Sequence, residues 1–286
     1  MNTRSPQFAD WRVREAMIQA FNYEFINQTQ NGGLAPRIRS YFSNSILGMN
    51  PGEAEGRVRE LLEPFAGDLL PGALEGYEFP VSDGREANRA GIRAAMGLME
   101  EAGYSVQNGV MTDPDGQPFT FEIVLSQGSA ENQAIINIYV ESLSRLGITP
   151  TVTTIDSAQY RERTDAYDFD MTYFARGVSL SPGNEQYLYW GCDMVDTPGS
   201  RNLMGVCNPA IEAMVGEMLT ADSQDDYRAA VHALDRVLTS GRYVIPIWYS
   251  PVSRIAHVRE LHFPETLPIY GDWLGFQPDV WWYEAE

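Results

Sequence analysis

The chain has 286 residues, of which 44% are hydrophobic and 12% aromatic, so it carries enough apolar surface for a folded core and is not a disordered segment. Its 39 acidic residues outnumber 20 basic ones and give a net charge of −19, which disfavours nucleic acid and anionic membranes as partners. All the basic residues are arginine, which excludes chemistry that needs a lysine. The sequence predicts neither a signal peptide nor a transmembrane helix.

The first third of the chain predicts helices separated by loops rich in glycine, serine and proline. A helix is expected from Asp10 to about Asn27, because Asp10 is a good N-cap and apolar residues recur at helical spacing. A short helix is expected over 53–65 and a well-marked one over 88–102. Between them, residues 66–87 predict an extended loop.

The middle of the chain changes to a strand–helix–strand pattern. Residues 109–116 predict a hairpin turn, followed by a strand over 119–125 with alternating apolar residues. A helix over 130–146 and a second strand over 149–155 follow. This succession is typical of an α/β lobe with a partly parallel sheet.

The last part of the chain combines helices with a long loop and an aromatic tail. In chain order it predicts a short helix over 157–165, a third strand over 168–174, an irregular loop over 176–209, helices over 209–219 and 224–240, and a final strand over 243–249. Beyond residue 257 the sequence is rich in proline and aromatic residues, including Trp273 and Phe276. Such aromatic groups form either core or ligand-cleft walls, and the sequence leaves both open.

Candidate catalytic groups are few, and we assign no catalytic residue, metal site or cofactor. Asp168 and Asp170 alternate on one strand and have the chemistry needed for glycoside hydrolysis, but such pairs arise by chance among 39 acids. His257 and His262 are five residues apart, which is not a metal-binding spacing. Residues 177–181 lack the final glycine of a nucleophile elbow. A glycoside hydrolase with an acid pair and an aromatic cleft remains the alternative function.

The two cysteines, Cys192 and Cys207, lie 15 residues apart in a stretch rich in glycine, proline and asparagine. This spacing suits a disulfide that closes a short loop, which would indicate an oxidising compartment. Two free buried thiols fit nearly as well, so the sequence leaves both arrangements open.

Several segments, in order along the chain, resemble the family 5 extracellular solute-binding proteins, the peptide and nickel receptors of ABC importers. Asp10–Asn22 is similar to the family's D-x-R-V-R-x-A-x-x-x-A-x-D helix, with asparagine in the last position. Further segments are similar to the oligopeptide and microcin-C-type branch: Ser40–Ser45, Glu60–Phe65, Asp156–Tyr160, Asp168–Asp170, Leu180–Gln186, Asp196–Asn202 and Leu234–Leu238. Together these segments cover essentially the whole chain.

The resemblance implies a mixed α/β fold, namely the C-terminal half of a type II periplasmic binding protein. Residues 1–7 would then be the remnant of a hinge strand, 8–255 the third, ligand-binding lobe, and 256–286 a tail returning towards a first lobe that lies outside this chain. The implied function is delivery of an oligopeptide or peptide-like compound to an inner-membrane ABC permease by a periplasmic protein, which we expect to be a monomer. A periplasmic location would also suit a Cys192–Cys207 disulfide.

The resemblance also suggests where a ligand would bind. In the family a peptide lies extended between the first and third lobes, hydrogen-bonded like an added strand. The candidate ligand-binding residues are Arg176, Ser179, Ser181, Asn184, Glu185, Gln186 and Trp190, with Tyr41, Phe42, Ser43 and Asn44 as a second wall. Where peptide receptors place an acidic residue for the ligand's amino terminus, this chain has Gly177. Arg176 would favour a carboxylate or phosphate instead. The chain alone is expected to bind weakly or not at all.

Overall fold

The computed structural model describes residues 1–250, 252, 254–267 and 280–284. The chain divides into two compact units, residues 1–247 and 248–286. The helices of the first unit are α1 (Trp11–Ala20), α2 (Tyr23–Asn31), α3 (Gly56–Leu62), α4 (Arg89–Glu101), α5 (Ala130–Ser144), α6 (Ser157–Asp165), α7 (Glu185–Trp190), α8 (Pro209–Thr220) and α9 (Gln224–Ser240). Its strands are β1 (Ser105–Gln107), β2 (Val110–Thr112), β3 (Glu122–Ser126), β4 (Thr151–Ile155) and β5 (Met171–Thr172).

A three-stranded parallel sheet forms the centre of the α/β arrangement and confirms the predicted fold class. The strand order is β4-β3-β5, with Ile123 of β3 opposite Val152 of β4 and Met171 of β5. The three central residues of β3 are all buried, as expected for the middle strand of a covered parallel sheet. Helices α5 and α6 connect the successive parallel strands. The third strand, predicted over 168–174, pairs over only two residues.

The single helix predicted from Asp10 to Asn27 is wrong, because the chain forms two helices there. Asp10 does cap α1, accepting the backbone N–H of Arg12, but Phe21 adopts an extended conformation that ends the helix. The Asn22 side chain then accepts the backbone N–H of Phe25 and starts α2. Asparagine competes with helical hydrogen bonds through such local contacts, so it favours a cap over a helix interior.

The turn predicted over 109–116 is present at the end of that range. Asp113–Gly116 form a turn in which the Gly116 N–H donates to the Asp113 carbonyl at 3.0 Å, and Thr112 pairs antiparallel with Pro118. A further turn, which the sequence did not predict, joins β1 and β2 at Asn108 and Gly109, both with the positive φ that a tight hairpin requires.

Two other predicted elements differ. The loop predicted over 176–209 contains α7. Residues 243–247 form no strand, and proline at position 246 lacks the N–H that a strand ladder uses.

The two cysteines form a disulfide, Cys192–Cys207, with Cα atoms 4.4 Å apart. The loop that it closes is organised from within by Asn202, which is fully buried. The Asn202 side-chain amide donates to the carbonyls of Gly191 (3.2 Å) and Val206 (2.7 Å). The disulfide and Asn202 together fix this loop, in which Arg201 contacts Arg176 and Met204 contacts Tyr41.

The second unit contains a short antiparallel pair, β6 (Leu261–His262) with β7 (Trp282–Tyr283). His257 meets the Trp281 ring edge-on at a centroid distance of 5.5 Å. The predictions for Trp273 and Phe276 fall outside the described residues. Within the part of the chain that the structure describes, no helix combines the length and apolar character needed to cross a membrane.

Candidate ligand-binding site

The candidate site is built around Arg176, which follows β5. Its Cζ atom lies 3.8 Å from the ring centroid of Tyr189 and 4.6 Å from that of Trp190, so the guanidinium stacks on aromatic faces. Its Nη2 donates to the carbonyl of Arg201 (3.2 Å), while Nη1 is buried without an acceptor among the described residues. Burial lowers the pKa of Arg176 to about 10, so the group stays charged at neutral pH.

Tyr41 belongs to the predicted second wall and contacts Trp190, which in turn lies beside Arg176. The rings of Tyr41 and Trp190 meet edge-on with centroids 5.2 Å apart. The Tyr41 hydroxyl donates to the Met204 sulfur at 3.4 Å, within the disulfide loop. The structure therefore brings Tyr41, Trp190 and Arg176 together, although they are far apart in sequence.

A buried carboxylate on α9, Asp235, holds the loop that carries Tyr41. Its Oδ1 accepts the backbone N–H groups of Tyr41 (2.8 Å) and Phe42 (3.3 Å), and its Oδ2 accepts that of Met49 (2.8 Å). Burial raises the pKa of Asp235 to about 6, and these hydrogen bonds oppose the rise. Asp235 was not among the residues predicted from the sequence. The signal that the sequence offers for it is an acidic residue on the apolar face of a predicted helix.

Several of the predicted ligand-binding residues are structural supports. Phe42, Gln186 and Trp190 are each 3% exposed, so they shape the site from within. The Trp190 indole N–H donates to Gln186 Oε1 at 2.8 Å. Ser43 closes its own turn, because its hydroxyl oxygen accepts the backbone N–H groups of Arg39 and Ser40.

The remaining predicted residues lie at or near the surface. Ser179, Ser181, Asn184 and Asn44 are exposed, and the Ser179 hydroxyl accepts the Ser181 backbone N–H at 3.0 Å. Glu185 is half-buried, and its Oε1 accepts the backbone N–H of Gly183 (2.9 Å) and a side-chain N–H of Gln186 (3.1 Å). The Glu185 carboxylate therefore already accepts hydrogen bonds from groups at the start of its own helix, α7.

The backbone beside Arg176 is open. Residues 174–179 follow edge strand β5 without regular structure, and their backbone N–H groups donate to no acceptor in the described residues. Phe174 is 54% exposed at the start of this segment. One end is anchored by the Tyr160 hydroxyl, which donates to the Tyr173 carbonyl at 2.6 Å. An unpaired edge of this kind is able to accept an added strand.

A shallow depression of about 510 Å³ lies elsewhere and is lined by Ala9, Asp10, Trp11, Arg12, Arg14 and Leu70. None of the predicted ligand-binding residues lines it, and its Asp10 and Arg12 pair with each other at 2.5 Å. We therefore do not assign it to the ligand. In the described ranges, no group of three or more histidine, cysteine or acidic side chains is arranged to hold a metal ion.

Residues 1–196 match the model of the bacterial extracellular solute-binding proteins, family 5 middle. The chain belongs to this family. The family 5 resemblance of the sequence is thus confirmed, and because family 5 comprises solute-binding proteins rather than enzymes, the glycoside hydrolase alternative loses its support. The members of this family are bacterial extracellular solute-binding proteins.

Two curated relatives show how far the similarity extends. A protein of Brucella melitensis is 38% identical over 286 residues, which are 100% of this chain and 46% of that protein. The peptidoglycan-binding protein YepA of Agrobacterium fabrum is 36% identical over 282 residues, which are 98% of this chain and 45% of YepA. The chain therefore spans about half the length of the curated relatives that it matches.

The fold is also that of a solved oligopeptide-binding protein. The oligopeptide-binding protein AppA of Bacillus subtilis, in complex with a nonapeptide, superposes with a TM-score of 0.70 at 17% identity. The match covers 99% of this chain and 49% of AppA. At this identity the similarity establishes the fold alone, which is the predicted periplasmic binding-protein architecture over half of a receptor's length.

Proposed function

We propose that this chain supplies the third-lobe side of a receptor that delivers an oligopeptide or peptide-like compound to an inner-membrane ABC permease. The observation that carries the proposal is the open backbone of residues 174–179 beside a charged, aromatic-stacked Arg176. The name of YepA and the nonapeptide bound to AppA support a ligand with a peptide backbone. In this proposal residues 8–255 form the binding lobe and 256–286 return towards a first lobe.

Backbone recognition would make the site tolerant of ligand side chains. The free N–H groups of residues 174–179 would donate to ligand carbonyls, as in strand addition. Exposed hydroxyls and amides at Ser179, Ser181 and Asn184 would contribute direct or water-mediated hydrogen bonds. Specificity would then come from the few charged groups of the site, above all Arg176.

The first test compares the 286-residue chain with the complete receptor that the proposal implies, in which this chain is joined to the other two lobes, called the full-length product. Because the third lobe would supply only one wall of the cleft, we expect peptide binding by the full-length product and weak or no binding by the chain alone. Isothermal titration calorimetry with a mixed set of tri- to nonapeptides measures both. Micromolar binding by the chain alone would contradict the two-walled cleft, and no binding by the full-length product would contradict the proposed function.

Replacing Arg176 by glutamine is expected to weaken binding of peptides with a free carboxylate by roughly 10- to 100-fold. The loss follows because the charged donor that would pair with the ligand's carboxylate is gone, while the aromatic platform stays. Calorimetry on the full-length product measures the change. The matched control is Arg93→Gln, an exposed arginine on α4, which should leave the affinity unchanged. Equal affinities for wild type and Arg176→Gln would refute the assigned role.

A further inference from the structure

A second arginine, Arg201, approaches the same tyrosine as Arg176. The Arg201 Cζ atom lies 5.5 Å from the Tyr189 ring centroid, and its Nη1 donates to the Tyr189 hydroxyl oxygen at 2.6 Å. Arg176 lies 3.8 Å from the same centroid and donates to the Arg201 carbonyl. Tyr189 therefore organises two guanidinium groups at one place, and its two contacts fix their orientation.

Neither guanidinium forms an ion pair with an acidic side chain within the described ranges. The two like charges repel each other, and one N–H group of Arg176 is buried without an acceptor. An anion that binds between the two guanidinium groups would relieve this repulsion, which favours binding.

The position of Arg201 is fixed before any ligand arrives. Arg201 lies inside the Cys192–Cys207 loop, next to the fully buried Asn202. Its backbone N–H donates to the carbonyl of Leu188 on α7 at 3.2 Å. A side chain on such a closed loop loses little freedom on binding, so its charge contributes to selectivity at low entropic cost.

We propose that Arg176 and Arg201 together select ligands that carry two neighbouring carboxylates, such as a peptide that ends in a free aspartate or glutamate. Arg176 pairs with one carboxylate and the exposed Arg201 with the other. The inference rests on the proposed function and adds a ligand class to it, because a single arginine would accept any free carboxylate equally well. The net charge of −19 repels an anion at long range, so the attraction has to come from these two neighbouring cations.

The test uses the full-length product and four peptides of identical sequence except at the last residue: alanine amide, alanine, glutamate and phosphoserine amide. We expect affinity to rise from alanine amide to alanine to glutamate. Arg201→Gln should reduce the glutamate-over-alanine preference about threefold, as expected for one exposed charge pair, and leave alanine affinity nearly unchanged. Arg201→Lys should retain part of the preference, and Arg93→Gln all of it.

The outcomes separate this inference from the proposed function. Equal binding of the alanine and glutamate peptides, or an undiminished preference in Arg201→Gln, overturns the two-carboxylate site and leaves peptide binding intact. Tighter binding of the phosphoserine amide than of the glutamate peptide overturns the carboxylate assignment in favour of phosphate. Failure of all four peptides to bind overturns the proposed function and this inference together.

Discussion

Replacing Glu15 by glutamine is expected to lower the free energy of unfolding by about 3–5 kcal/mol, the usual loss when one partner of a buried ion pair is removed. Glu15 Oε2 accepts from Arg242 Nε (2.8 Å) and from the Tyr77 hydroxyl (2.7 Å), and both charged side chains are buried. Without the carboxylate, the Arg242 charge is left without its counterion between the rings of Trp11 and Tyr77.

Chemical denaturation followed by circular dichroism measures the Glu15→Gln change. The matched control is Asp165→Asn, which breaks the exposed Arg161–Asp165 pair at 2.6 Å and should cost less than about 1 kcal/mol. If Glu15→Gln does not fold, Tyr77→Phe removes one hydrogen bond of the cluster and should cost about 1 kcal/mol. A loss in Glu15→Gln no larger than in Asp165→Asn would show that the buried pair contributes nothing.

The elements predicted well are those whose bounds depend on residues close by in the sequence, such as helix caps and glycine stops. Helix α6 has its predicted bounds, and in the structure the Asp156 side chain caps it by accepting the backbone N–H groups of Ala158 and Gln159. Helix α4 ends before Gly103, as predicted, where φ is +94°. The alternation of strands and helices predicts a partly parallel sheet, and β3 does pair in parallel with β4 and β5. By contrast, the helical spacing of apolar residues did not predict the break between α1 and α2, where Asn22 caps the second helix.

The candidate site was predicted less completely, because its contacts join distant parts of the chain. Arg176 and Tyr41 were selected from the family resemblance, but the partners that hold them are Tyr189, Arg201 and Asp235. No spacing in the sequence links these residues. Conversely, Phe42 and Gln186 sit in matching segments yet are buried, since a family motif preserves both packing and binding residues.

Replacing Asp235 by alanine is expected to lower the free energy of unfolding by about 3 kcal/mol or more, because three buried or partly buried backbone N–H groups lose their acceptor at roughly 1–3 kcal/mol each. These groups belong to Tyr41, Phe42 and Met49, so the loss also releases the wall that packs on Trp190. Denaturation measures the stability, and Asp225→Asn, 97% exposed on the same helix, is the control with a change below about 1 kcal/mol. An Asp235→Ala variant as stable as the wild type would show that these hydrogen bonds to Asp235 do not stabilise the fold.

The same residue gives a pH dependence with a defined sign. The pKa of Asp235 is raised to about 6 in the folded protein, above the ordinary value of 3.8. A raised pKa means that the folded state holds the proton more tightly, so the stabilisation is complete below about pH 4 and is lost as the pH rises through 6. The stability of wild type relative to Asp235→Asn, which cannot titrate, should therefore fall between pH 4 and pH 6 and be constant above pH 7. A relative stability that rises over this range would reverse the assigned direction and require the hydrogen bonds from Tyr41 and Met49 to outweigh burial.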